Sequence, residues 1–160
     1  MTNSTMSKSD LLQRLSTRIT EENGGLAVLV VDDDAAITRL CRLVLERAGF
    51  RVETASDGRI ALDRINASNY AAILLDLQMP LVHGATLLAI LGREKPETLK
   101  KVVVMTALPD AAVVDMLGVV VSVLRKPMSD GDVVHAVRRC IDPTLQPSDI
   151  GDRTARARIR

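Results

Sequence analysis

From Leu26 onward the chain alternates short apolar runs with stretches in which apolar residues recur at helical spacing. The run LAVLVV at 26–31 is continuous and β-branched, the pattern of a strand covered on both faces. AAITRLCRLVLERAG at 35–49 follows, with Ile37, Leu40, Cys41, Val44, Leu45 and Ala48 predicted on one helical face and Gly49 as a C-cap signal. Next come strand RVETA (51–55), helix GRIALDRI (58–65), strand AAILLD (71–76), helix GATLLAILGRE (84–94) and strand KVVVMT (101–106). A short helix in DAAVVDML (110–117), strand VVVSVL (119–124) and helix SDGDVVHAVRRCI (129–141) complete the series. Five successive βα units predict an α/β fold: a mostly parallel sheet with helices on both faces and right-handed crossovers. In such folds ligands sit beyond the carboxyl ends of the strands.

The flanks differ. Residues 1–25 are polar and close on NGG, the pattern of an extension or linker. Within it SDLLQRLSTRI offers a Ser9 or Asp10 cap and a stripe of Leu11, Leu12, Leu15 and Ile19, which predicts a short amphipathic helix. Asp142-Pro143 is a stop signal, and residues 142–160 form a basic tail carrying Arg153, Arg156, Arg158 and Arg160, expected to be solvated and flexible. The foldable unit is therefore 26–141.

Composition narrows the choices. Of 160 residues, 47% are hydrophobic and only Phe50 and Tyr70 are aromatic, so the core must be aliphatic and stacking on bases is nearly excluded. A net charge of +1 argues neither for nor against an anionic partner across the whole domain. Cys41 and Cys140 lack metal-ligand spacing, no secretory signal opens the chain, and no apolar run reaches the length of a membrane helix. These features lead to the expectation of a cytoplasmic protein with reduced thiols, the cysteines serving as core filler. His83 and His135 have no ligand partner at useful spacing and are expected to be solvated.

Chemistry concentrates at the strand ends. The first strand runs into Asp32, Asp33 and Asp34, the third ends on Asp76, the fourth on Thr106, and the fifth leads to Lys126-Pro127. Each alone would be a turn, a cap or strand filler. Together they place several carboxylates on one sheet edge, where mutual repulsion calls for a hard cation and a lysine. Mg²⁺ suits such a set, since it takes oxygen ligands and few protein carboxylates. Asp34 is better read as a helix N-terminal residue favoured by the dipole.

The motifs VVDDD, DLQMP followed by Gly84, VVVMTA and LRKP, with AGF at 48–50 and the spacing of Ala55, Gly58, Ala61 and Leu62, resemble the receiver domain of two-component response regulators. The resemblance spans Leu26 to Ile141. It implies a flavodoxin-like, doubly wound five-stranded parallel sheet of order 2-1-3-4-5. It further implies that Asp76 accepts a phosphoryl group from a phosphohistidine of a sensor histidine kinase or phosphotransfer protein. Asp32, Asp33, Asp76 and the backbone carbonyl of Gln78 would hold Mg²⁺, while Thr106 and Lys126 would bond phosphoryl oxygens. A cis Lys126-Pro127 bond, common in the family, would aim the lysine inward.

Two features depart from that pattern. Val123 stands where relatives commonly carry the Tyr or Phe that swings inward on activation. Nothing after Ile141 is long enough for a DNA-binding helix-turn-helix, so the expectation is a stand-alone, CheY-like receiver that signals by docking to a protein target. Two other readings compete. One is a degenerate receiver serving as a binding module, or as a cyclic di-GMP effector through its arginine-rich tail. The other is a haloacid-dehalogenase-like phosphatase using the Asp32-x-Asp34 spacing with Thr106 and Lys126. The second leaves DLQMP unexplained.

Overall fold

The computed structural model describes residues 25–80, 83–109 and 119–145. Five strands, β1 (Ala27–Val31), β2 (Arg51–Ala55), β3 (Ala72–Asp76), β4 (Val102–Thr106) and β5 (Ser122–Arg125), form one parallel sheet of order β2-β1-β3-β4-β5. This is the CheY-like flavodoxin fold. The helices are α1 (Ala35–Arg47), α2 (Gly58–Ala67), α3 (Gly84–Glu94) and α4 (Asp130–Ile141), with a 3₁₀ segment at Pro96–Lys101. No helix among the described residues is long and apolar enough to cross a membrane.

Alternation within the strands creates two cores. Leu29, Val31, Ile73, Leu75, Val102 and Val104 pack with Leu87 and Leu91 of α3 and Ala61 and Ile65 of α2 on one face. Val28, Val30, Leu74, Val103 and Met105 pack with Cys41 and Leu45 of α1 and Val133 and Val137 of α4 on the other. β1, β3 and β4 are buried along their whole length, as their unbroken apolar runs require.

Local signals explain the helix ends. Gly49, at φ +92, lets the Gly49 amide reach Glu46 O at 3.0 Å and the Phe50 amide reach Leu45 O at 3.0 Å, the paired bonds of a Schellman end to α1. Ser129 and Asp132 form a reciprocal capping box at the start of α4.

Three expectations need correction. Leu40 is 40% exposed: the buried stripe of α1 is only Cys41, Val44 and Leu45, and Leu40 lies on its flank. The fifth strand begins at Ser122 and runs through Arg125, rather than over 119–124: Val119 lies half exposed beyond the sheet, and the chain before Ser122 makes only an isolated bridge at Val120, with Val121 N–H reaching Val102 O at 2.9 Å. His135 is half-buried instead of solvated, its Nδ1 enclosed without a hydrogen-bond partner. His83 is exposed, as expected. Cys41 and Cys140 are free thiols, and burial holds their pKa up at about 11 and about 12, so neither is a ready nucleophile. The helix expected at 9–19, the one expected at 110–117 and the arginine tail lie outside the described residues.

Candidate phosphoacceptor site

β1 and β3 are neighbours and end at the same sheet edge, so the residues that close them converge. Asp32 follows β1 directly, its amide continuing the ladder to Ala55 O at 3.1 Å, and only 2% of it is exposed. Asp76 is the last residue of β3 and is 4% exposed. Asp33, between Asp32 and the start of α1, is exposed. One carboxylate oxygen from each of Asp32, Asp33 and Asp76 fits within a 4.8 Å cluster.

Lys126 enters this cluster from the end of β5. Its Nζ stands 2.7 Å from Asp32 Oδ2 and 3.3 Å from Asp76 Oδ2. The Lys126 amide donates to Thr106 O at 3.0 Å, and the Lys126-Pro127 bond is cis. Burial by itself would lower the Lys126 pKa, yet the bond to Asp32 and the charges of Asp32 and Asp76 outweigh it and hold the pKa above its ordinary value.

Asp76 is pushed the other way from a normal paired acid. Desolvation raises its pKa, and the charge of Asp32 adds to the rise. The Gln78 N–H, donating to Asp76 Oδ1 at 3.1 Å, and the Lys126 charge only partly offset this. A carboxylate held in this way gains from any added positive charge.

Thr106, fully buried at the end of β4, accepts the Leu108 N–H at 3.0 Å through Oγ1, an arrangement that leaves its own hydroxyl proton uncommitted in that bond. Asp34 does what its position next to a helix suggests: Oδ1 accepts the Ala36 and Ile37 amides at 2.7 and 3.4 Å as the N-cap of α1. Because Asp34 is spent in this cap, the Asp32-x-Asp34 pair is not a pair of converging acids, and the structure offers the phosphatase reading no second carboxylate there.

The three clustered carboxylates, two of them beside the Lys126 ammonium, form an all-oxygen, anionic donor set, which fits Mg²⁺ by chemistry. Gln78 is exposed, with its N–H turned to Asp76.

Some features of the site carry no plain sequence signal. A side chain at position 84 would run into the Asp76 carbonyl oxygen and come within 2.8 Å of Leu77 Cα, so α3 can start against the end of β3 only with Gly84. Leu77 and Met79 are buried and pin the segment after Asp76 into the core, while Gln78 between them faces out. The Arg125 guanidinium donates to the Leu108 carbonyl, fastening the loop after Thr106 to β5. Gly84 was visible as part of a motif, but its physical reason was not.

A family model described as the response regulator receiver domain matches residues 28–138. Over 132 residues the chain is 31% identical to a protein of Haemophilus influenzae named transcriptional regulatory protein CpxR homolog, which covers 76% of this chain and 53% of that protein. It is 44% identical over 57 residues to the transcriptional regulatory protein SrrA of Staphylococcus aureus, covering 36% of this chain and 24% of SrrA. The matched part thus spans about half of the first relative and about a quarter of the second. Among solved structures, the receiver domain of the Francisella response regulator 1452 superposes with a TM-score of 0.69 at 30% identity, over 76% of this chain and 100% of that one.

Proposed function

The chain belongs to the response regulator receiver domain family, and from that premise we propose that it accepts a phosphoryl group on Asp76 and signals through the change this causes. The observation that carries the reading is the placement of Asp76: a buried carboxylate with a raised pKa, 3.3 Å from Lys126 and clustered with Asp32 and Asp33. The receiver is assigned to residues 26–141, bracketing the matched segment.

An Asp76 carboxylate oxygen attacks the phosphorus of a phosphohistidine on a sensor kinase or phosphotransfer protein. The phosphorus–nitrogen bond breaks, its electron pair returns to the imidazole, and an acyl phosphate forms on Asp76. Gln78 N–H, bonded to Oδ1, fixes the carboxylate plane so that one oxygen faces the donor. Lys126 and the free hydroxyl proton of Thr106 take up phosphoryl oxygens, so little covalent work falls to the protein and positioning dominates. Asp32, Asp33 and Asp76, with the Gln78 carbonyl, would hold Mg²⁺ here, and the ion would supply charge neutralisation to the transferring group. Water attacking the same phosphorus reverses the mark, releasing inorganic phosphate and the carboxylate.

The reaction partner is a histidine-phosphorylated protein, and the downstream target is a protein that docks to the altered surface. Incubation with acetyl phosphate and Mg²⁺, followed by intact-mass measurement, should add one phosphate to the wild type and none to Asp76→Asn. An adduct that survives in Asp76→Asn would overturn the assignment.

A further inference from the structure

α1 and α4 lie side by side on one face of the sheet, and the groove between them is apolar. Arg42 of α1 reaches Thr54 of β2, so that flank of the helix points to the sheet edge, and the opposite flank, with Leu40 and Leu43, points to α4. On α4, Arg139 lines a hollow with Val121 before β5, so the other flank, with Val134 and Ile141, points to α1. Leu40 is 40%, Leu43 47% and Ile141 41% exposed, and Val134 is only partly buried. Three of the large aliphatic side chains left exposed among the described residues thus border one groove, and nothing among those residues covers them.

The chain enters the fold at the foot of this groove. A side chain at Gly25 would come within 2.9 Å of Gly49 O, so residue 25 lies against the end of α1. Leu43 stands about 9 Å up the helix axis from Gly49. Ahead of Gly25 runs the stretch SDLLQRLSTRI, whose stripe of Leu11, Leu12, Leu15 and Ile19 has the spacing of a helix with one apolar face. As a helix, Leu11 to Ile19 spans about 12 Å, and residues 20–24 reach roughly 17 Å when extended, enough to fold the stretch back along α1. Charge agrees with length. Arg47 continues the Leu43 flank and Arg138 the Ile141 flank, while Glu21 and Glu22 occupy the linking residues just before Gly25.

We propose that the groove between α1 and α4 is the docking site of the chain's own segment 9–19, which lies in it as an amphipathic helix. Leu12, Leu15 and Ile19 cover Leu40, Leu43 and Ile141, Glu21 and Glu22 sit opposite Arg47 and Arg138, and Arg14 and Arg18, off the stripe, stay in water. The segment is then an intrachain cover: a protein that docks on α1 and α4 must first displace it. Its occupancy does not require the phosphorylation reading to hold.

NMR on the full chain tests this. Methyl NOEs are expected from Leu12, Leu15 and Ile19 to Leu40, Leu43 and Ile141, and in a sample mixing isotope-labelled with unlabelled chains they should stay within one copy. Leu15→Asp and Leu43→Asp, on opposite sides of the contact, should each speed amide exchange across 11–19 by about tenfold or more. Leu43 is exposed in the domain, so Leu43→Asp leaves the core intact, and Gln13→Asp, off the stripe, should leave the exchange unchanged. Absence of these NOEs, NOEs that run only between copies, or exchange across 11–19 that Leu43→Asp does not alter would each overturn the proposal, the second by assigning the groove to another copy of the chain.

Discussion

Lys126 is bound to Asp32 at 2.7 Å and stands farther, at 3.3 Å, from Asp76, so the ammonium is anchored by the carboxylate of the first strand and only leans toward that of the third. The Asp32 side chain is wholly buried, and Lys126 provides its charge partner. A lysine held this way is positioned before any phosphoryl group arrives.

Replacing Lys126 by Met should therefore leave Asp32 buried and uncompensated, at a cost of about 3 kcal/mol in urea unfolding without Mg²⁺. Because the Lys126 pKa is raised by folding, its contribution is complete below 10.5 and is lost only as pH climbs through the raised value. The difference between wild type and Lys126→Met should hold steady from pH 6 to 9. A difference that disappeared in that range would show that the ion pair is not its source.

Asp76 behaves oppositely to a stabilising carboxylate. Its pKa is raised by desolvation, so the folded state binds the proton more tightly than the unfolded chain. Its favourable contribution is full below 3.8 and is lost as pH rises through the raised value, leaving the ionised form a burden at neutral pH. In EDTA, Asp76→Asn should melt above the wild type at pH 7, and this advantage should shrink toward pH 3.5. Thermal unfolding against pH tests this, and an Asn variant that melted lower at pH 7 would contradict it.

Mg²⁺ should lift the melting temperature of the wild type by relieving the same repulsion, since a ligand of the folded state alone stabilises it. At tenfold excess over its dissociation constant the gain is about 1.4 kcal/mol. Asp33→Ala, which removes an exposed carboxylate of the cluster, should lose most of this response while folding normally. An equal rise in Asp33→Ala would remove Asp33 from the metal site.

Gly84→Ala should cost about 1–3 kcal/mol, because the obstacle is the backbone of Asp76 and Leu77 rather than a flexible side-chain tip. It should also slow acyl-phosphate labelling by moving the end of β3, whereas Gly92→Ala, on the exposed face of the same helix with only Leu99 Cδ1 at 3.5 Å, should leave labelling unchanged.

How these residues meet was legible to different depths. The sheet could be read because buried parallel strands leave continuous apolar runs, and the strand-end acids could be read because they interrupt such runs. The edge could not: β5 is half-buried throughout, so VVVSVL carries the same signal whether or not its first valines join the ladder. Leu40 misled for a related reason, since a stripe of six apolar positions is wider than the three that α1 buries. His135 looked solvated because its half-burial comes from tertiary packing, which one-dimensional spacing does not encode.

The last prediction concerns how a mark on Asp76 would spread. Val123, paired with Val104 and half-buried against the core on the α2 and α3 side, has no ring to swing when Thr106 moves. The direct connections from Thr106 instead run through Leu108, whose amide is bonded to Oγ1 and whose carbonyl is held by Arg125. Turning the Thr106 hydroxyl toward a phosphoryl oxygen must strain or release that pair of bonds. Beryllofluoride with Mg²⁺, a phosphoryl mimic, should therefore produce its largest amide shifts at Thr106, Ala107 and Leu108, with smaller changes at Val123 and Leu124. Arg125→Ala should broaden or move the Leu108 resonance even without the mimic, while leaving acetyl phosphate labelling of Asp76 within about twofold, a change below ~0.5 kcal/mol in barrier. Shifts along β5 and α4 equal to those around Thr106 would show that an aliphatic residue at 123 transmits the change as fully as an aromatic one.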